Sequence, residues 1–540
     1  MKRRDFLRVG TLAAGAAAVP MSAAGGIGPQ AATQPPPVPA FDLEELSIAD
    51  LRNRLESGQE TARSLVEKYL ARIEALDRRG PALRQVLEIN PDALAIAARL
   101  DQERNAGKVR GPMHGIPVLL KDNIGTADRM TTTAGSLALE GSIPREDAFV
   151  ARKLRDAGAV LLGKTNLSEW ANFRSTRSVS GWSGRGRLGR NPYVLDRNTS
   201  GSSSGSAAAV AASYAAVAVG TETDGSVVSP ANNCCLVGLK PTIGLVGRTG
   251  IIPIAHSQDT AGPLTRTVAD AAILLAAMVG ADPGDPVTAG AARRGAPDYT
   301  KYLDPNGLEG ARIGIPRERL FGQNPHADRL AEDAIRVMRD AGAVIVDPAD
   351  VATVGKVGDP EFEVLLYEFK ADLNAYLAGL GPSARPGSLS DLIAFNELHA
   401  DREMPWFGQE IFLLAEKKGP LTDPAYREAL ETCRRLSRTE GIDATMDRYK
   451  LDALVAPTSG PPHVTDLLIG DYGPGGSSTL PAVAGYPHIT VPAGFVSGLP
   501  IGVSFFGRAF SEPTLIRLAY AFEQATRHRR PPKFLPTAPL

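Results

Sequence analysis

Residues 158–166 read GAVLLGKTN and spell GxxxxGK[ST], the pattern of a phosphate-cradling loop, so the way this stretch is read decides the fold. Such a loop needs a strand before it and free backbone N–H groups within it. Here the four wildcard positions are Ala159, Val160, Leu161 and Leu162, an apolar run that reads as the strand itself. Just upstream, Phe149, Val150 and Leu154 recur at helical spacing. The local order is therefore helix, turn, strand, the reverse of what a phosphate loop requires. A strand in the loop positions cannot wrap a phosphate, and the stretch becomes one step of an α/β chain.

The same alternation runs outward in both directions. Helical patterns open at Ser47 and Thr61, each an N-cap residue type. LRQVLEI (83–89) and IPVLLK (116–121) read as strands, the second apolar enough to be buried on both faces. RIGIP (312–316), AVIV (343–346) and DALVAP (452–457) follow as further strands. Residues 206–219, SAAAVAASYAAVAV, read as a central helix packed on all sides, since roughly 14 residues are too few to cross a bilayer. Residues 361–449 are mostly amphipathic helix, with Trp406, Phe407 and Phe412 between charged segments, and predict a lobe beside the core that shapes a cleft. Alternating helix and strand without a second linker predicts one large α/β domain from residue 41 to 535.

A chain of 540 residues with 43% hydrophobic and 22% charged residues has ordinary globular composition. Its net charge of -1 argues against nucleic acid as a partner, because counterion release needs a basic face. The N-terminus, MKRRDFLRVGTLAAGAAAVPMSAAGG, pairs Arg3 with Arg4 ahead of an apolar run and small residues up to Ala24. This resembles a twin-arginine export signal, here residues 1–24, and predicts a periplasmic or secreted protein that meets the twin-arginine export machinery. The apolar run of ~11 residues is short of a membrane span, so no stable anchor is expected. Residues 25–40 form a Gly/Pro-rich spacer. Cys234, Cys235 and Cys433 offer no disulfide framework, and the seven histidines show no pair at metal-ligand spacing. No metal or other cofactor is expected.

The densest unusual composition lies in residues 198–242, NTSGSSSGSAAAVAASYAAVAVGTETDGSVVSPANNCCLVGLKPT. Within it GSSSG (201–205) fits GxSxG, a nucleophile elbow centred on Ser203, but its lead-in RNPYVLDRNTS is polar and loop-like where an elbow needs a strand. The whole segment instead resembles the amidase signature family, and the resemblance extends to GPMHGIPVLLKDNIG, DAFVARKLRDAGAVLLGKTNLSEWA, SQDTAGPLTRTVADAAILL, LDALVAPT and GLPIGVSFFGRAFSEPTLIRLA, in family order. It implies a single domain with a mixed central sheet covered by helices on both faces.

Carried residue by residue, the resemblance implies Ser226 of GTETDGS as nucleophile, Ser202 of GSSSG as a bridging serine with a cis peptide bond before it, and Lys121 of LLKDN as base. Physical chemistry agrees: a serine hydroxyl needs a base, and burial at the end of an apolar strand favours the neutral lysine that can act as one. The bland alternative is a lysine that merely pairs with Asp122. Backbone amides of Thr223, Asp224, Gly225 and Ser226 would hold the oxyanion. Asp224 stands where the family has glycine, and either braces that turn or accepts a hydrogen bond from a carboxamide NH2; Thr133, in TTTAG (131–135), is a second candidate for the substrate wall. Asn123, Asp259 and Lys240 are expected to hold loops, and Cys234 and Cys235 to pack in the core. Three functions fit: a free-standing amide hydrolase, the amide-splitting component of a tRNA amidotransferase, and a noncatalytic binding protein. The export signal argues against the second and the complete residue set against the third. TETDGS together with GSSSGSAAAVAA is most similar to bacterial peptide amidases, which remove the C-terminal amide of peptides; small, aryl or fatty amides are the alternative substrates.

Overall fold

The computed structural model describes residues 38–295, 298–381, 386–472 and 475–539, which form one compact unit; the export signal and nearly all of the spacer lie outside the described residues. The strands are β1 (Val86–Ile89), β2 (Pro117–Lys121), β3 (Val160–Thr165), β4 (Trp182–Ser183), β5 (Arg187–Leu188), β6 (Val217–Glu222), β7 (Val237–Lys240), β8 (Thr260–Thr265), β9 (Arg312–Gly314), β10 (Val344–Val346), β11 (Ala453–Pro457), β12 (His488–Val496) and β13 (Leu499–Phe506). Eleven form one mixed sheet in the order β1-β3-β2-β6-β8-β7-β12-β13-β11-β9-β10, while β4 and β5 pair apart. Every residue of β2, β3, β6, β8, β11 and β13 is buried. Because successive side chains point to opposite faces, both faces of this sheet are covered. Among the described residues no helix is long and apolar enough to cross a membrane.

The opening stretch is β3: Val160, Leu161 and Leu162 are its buried start, and the helix Phe149–Asp156 precedes it. Residues 206–219 depart from the expected single helix. The helix Ser204–Ala211 ends, Ser213 turns the chain with φ 57°, and β6 begins at Val217. A run of small apolar residues satisfies a buried helix and a buried strand equally, and only the turn at Ser213 divides them.

Ser47 and Thr61 are N-caps, each closing a capping box with the residue three positions on. The segment after β10 is helical, led by the long helix Gly358–Gly379. Its own core gathers Phe369, Phe412 and Leu373 with Trp170 and Phe173 of the main domain, each large side chain contributing roughly 1.5–3 kcal/mol by burial. Carboxylates fix the lobe: Glu403 Oε1 accepts from Leu137 N at 2.6 Å and Glu410 Oε1 from Thr176 N at 2.8 Å. Phe412 is buried and Trp406 is 42% exposed, so the aromatic run divides between packing and surface.

Candidate active site

Strands β2 and β6 run parallel, with Leu120 opposite Val219, so Lys121 at the end of β2 arrives beside Thr221. The Lys121 ammonium is wholly buried and, among the described residues, hydrogen-bonds to uncharged oxygens: Ser202 Oγ at 2.7 Å, Thr221 Oγ1 at 2.8 Å and Thr221 O at 3.2 Å. Burial pushes its pKa down to about 7, against a weaker upward pull from Asp259 and Glu222. Asp122 does not pair with it. The Asp122 carboxylate takes the hydroxyl of Thr133 and lies 3.7 Å from Arg185.

Ser202 is presented by the turn before the helix Ser204–Ala211, and the Gly201–Ser202 peptide bond is cis. A side chain at Gly201 would meet Ser168 Oγ at 2.2 Å, so the close approach requires glycine there. Ser203, centre of the elbow pattern, is wholly buried and spends its hydroxyl on the backbone of Thr221. Its N–H donates to Ser226 O at 3.1 Å, tying the Ser202 turn to the turn that bears Ser226.

Beyond β6 the chain turns through Thr223–Ser226. Gly225 has φ 74°, a left-handed conformation that favours glycine. Among the described residues none accepts a bond from the backbone N–H of Asp224, Gly225 or Ser226, which leaves these donors free for a ligand. Glu222 Oε2 accepts from Val227 N at 2.7 Å and Val228 N at 3.0 Å, fixing the chain directly after Ser226. Asp224 Oδ2 accepts from Thr479 Oγ1 at 2.7 Å, and the Ser478 hydroxyl lies against the same carboxylate, which is out of solvent at Oδ1. Burial raises the Asp224 pKa. Thr223 donates its hydroxyl to Asp259 Oδ1 at 2.5 Å, and Asp259 Oδ2 takes the N–H groups of Ile254 and Ala255.

A cavity of about 650 Å³ opens beside these groups, lined by Asn123, Thr221, Thr223, Asp259, Tyr376 and the apolar run from Ile251 to Ile254. Asn123 and Asp259 hold loops as expected, Asn123 Nδ2 donating to Thr221 Oγ1 at 3.0 Å, and both also face the cavity. Lys240 is buried behind the turn, and Cys234 and Cys235 are core. Thr133 is wholly buried and donates its hydroxyl to Asp122, while Ala134 of the same stretch meets a small cavity beside Trp170. A stretch of small hydroxyl residues next to a site carries no sign of which hydroxyl faces outward. Sequence reasoning also missed Thr221, which lies one residue before Glu222 in a block already recognised, and Tyr376, which the lobe supplies.

A serine-rich turn and a buried lysine at the ends of two parallel strands, beside a cavity with an apolar wall, make this the candidate site of the fold. Residues 64–516 match the Amidase family model, and the chain belongs to that family; the protein is an amidase hydrolase. Among solved structures, the native peptide amidase from Stenotrophomonas maltophilia is 52% identical, with a TM-score of 0.86 over 92% of this chain and 100% of that one. A probable amidase of Arabidopsis thaliana is 45% identical over 92% of this chain and 93% of its own length. A glutamyl-tRNA(Gln) amidotransferase subunit from Moorella thermoacetica is 36% identical over 91% of this chain and 99% of its own length.

Proposed function

We propose that the protein removes the C-terminal amide of peptides, with Ser226 as nucleophile, Ser202 as proton bridge and Lys121 as base. The observation that carries this reading is the 2.7 Å contact between Lys121 Nζ and Ser202 Oγ in a wholly buried setting where the lysine bonds directly to hydroxyl and carbonyl oxygens. A neutral amine has two N–H donors and one lone pair; with Thr221 O and Oγ1 taking the donors, the lone pair is left for the Ser202 proton.

In the forward step Ser202 gives its proton to Lys121 and accepts that of Ser226, whose oxygen bonds to the amide carbon. The carbonyl oxygen becomes an oxyanion held by the free amides of the 223–226 turn. The protons then return through Ser202 to the leaving nitrogen, the C–N bond breaks, and ammonia departs. Water, deprotonated by the same relay, cleaves the acyl-serine to a carboxylate and restores Ser226. The similarity to a peptide amidase over the full length of that protein supports the peptide substrate, and the apolar wall at Ile251–Ile254 suits a side chain next to the scissile amide. Export through the twin-arginine route belongs to the same reading. Ser226→Ala is expected to abolish turnover and labelling by an activated-serine probe while the protein stays folded. Retained turnover with labelling at another serine overturns the assignment. Peptide amides should be preferred over aryl amides, fatty amides and free glutamine; preference for glutamine would favour the chemistry of the amidotransferase relatives.

A further inference from the structure

Away from these serines the chain gathers one other set of chemistry-bearing groups. Among the described residues, His256, Glu368 and Asp372 are the one set with ligand-type atoms all within 4.8 Å of one another. His256 lies more than a hundred residues before the other two, so no spacing in the sequence announces the set. Glu368 and Asp372 are four residues apart on the helix Gly358–Gly379 and share a face. His256 lies in the loop that follows the apolar wall of the cavity.

The geometry suits a metal ion. His256 Nε2 is 3.3 Å from Glu368 Oε1, and two ligand atoms each ~2.1 Å from one ion at a tetrahedral angle stand about 3.4 Å apart. His256 Nδ1 is 2.9 Å from Asp372 Oδ2. A proton held there leaves the Nε2 lone pair for the ion, with the carboxylate fixing ring orientation and tautomer. The anchors are themselves held: Glu368 is buried, its Oε1 accepting from the Tyr426 hydroxyl at 2.7 Å and its Oε2 from Ser257 N at 2.9 Å. Asp372 Oδ2 also accepts from His256 N at 2.9 Å. The neighbouring positive charge of Arg248 is neutralised by Asp285 at 2.7 Å. His256 is 45% exposed and, with Asp372, lines the 650 Å³ cavity, so the ion's remaining positions would face that space.

We propose that His256 and Glu368, oriented by Asp372, form a site for a borderline divalent cation, Zn²⁺ being the best match, and that the bound ion obstructs the cavity and takes no part in the chemistry. One imidazole and one carboxylate are ligand types Zn²⁺ accepts, with water completing a tetrahedron. The obstruction rests on the reading of this cavity as substrate-bearing; the binding does not.

The test is calorimetric titration of ZnCl₂ into the chelator-stripped full chain, alone and as His256→Ala, Asp372→Asn and Ser226→Ala. One saturable equivalent is expected for the unaltered protein, with affinity at least about tenfold weaker in His256→Ala and Asp372→Asn at unchanged Tm. Ser226→Ala should bind like the unaltered protein, so failure of the nucleophile assignment leaves this result intact. No saturable uptake, or uptake unchanged in His256→Ala, overturns the site. Bound Zn²⁺ should raise KM for a peptide amide with kcat unchanged, reversibly on chelation; a KM unmoved by the bound ion overturns the obstruction.

Discussion

Lys121 ends β2 and Lys164 lies in β3, the strand paired with it in parallel, where Leu120 stands opposite Lys164. Both ammonium groups are wholly buried, and burial lowers both pKa values, to about 7 for Lys121 and about 8 for Lys164. What separates them is their partners. Lys164 donates to Ile124 O at 2.8 Å, Thr132 Oγ1 at 2.8 Å and Thr131 O at 3.1 Å, tying down the segment that follows β2. Lys121 reaches a serine hydroxyl in the turn before a helix, beside a second serine turn and an open cavity. A buried, depressed lysine is therefore no mark of chemistry by itself: the mark is a partner that can pass a proton onward to a cavity.

The sharpest way to break this contrast is to keep the charge and move the proton chemistry. Lys121→Arg should lose about 10²–10⁴-fold in kcat, because guanidinium does not deprotonate. Lys164→Met should lower Tm by stranding two carbonyls, yet leave kcat per folded molecule within about tenfold. A substantially active Arg variant at 121 would make Lys121 a second structural lysine.

Titration sharpens the contrast further. kcat/KM should rise with pH through about 7, as the Lys121 ammonium of the free enzyme loses its proton. The stability sign follows from linkage: between about 7 and the ordinary 10.5 the unfolded chain binds this proton and the native one does not, so stability rises with pH there. The cost of burying Lys121 is fully present below pH 7. Lys121→Met should accordingly raise Tm more at pH 6 than at pH 9, and equal gains would remove the depressed pKa from the account.

Asp224 carries the next effect. If the Asp224 carboxylate, held by Thr479 at Oδ2, receives the carboxamide N–H, Asp224→Asn is expected to cost ~1–3 kcal/mol more in kcat/KM for a primary amide than for its methyl ester, which has no N–H to offer. Equal losses would assign the carboxylate to bracing the turn. The smallest effect belongs to Thr133, whose bond to Asp122 suggests that Thr133→Val costs ~1 kcal/mol of stability with KM unchanged. A selective rise in KM would return this residue to the substrate wall.

Much of this was legible beforehand where local pattern and chemistry coincide. The run 159–162 read as a strand and not a phosphate loop because it is apolar and follows a helical pattern and a turn. The small-residue run 206–219 offered no such arbitration, and its division into helix, left-handed Ser213 and β6 came from tertiary packing. Thr133 shows the same limit at the site: which hydroxyl of a hydroxyl-rich turn meets solvent is set by what packs against it.

By itself the sequence determined the α/β alternation, the family, and the residue types of the serine turns and buried lysine, because periodicity and side-chain chemistry are local properties. Only the tertiary structure decided that Thr221 occupies two of the three positions around Lys121 Nζ, that Ser203 is locked away, and that His256 meets Glu368 and Asp372. Those outcomes depend on strand register and on the docking of the helical lobe. Both join residues far apart in the chain, and no local pattern encodes a distance across the fold.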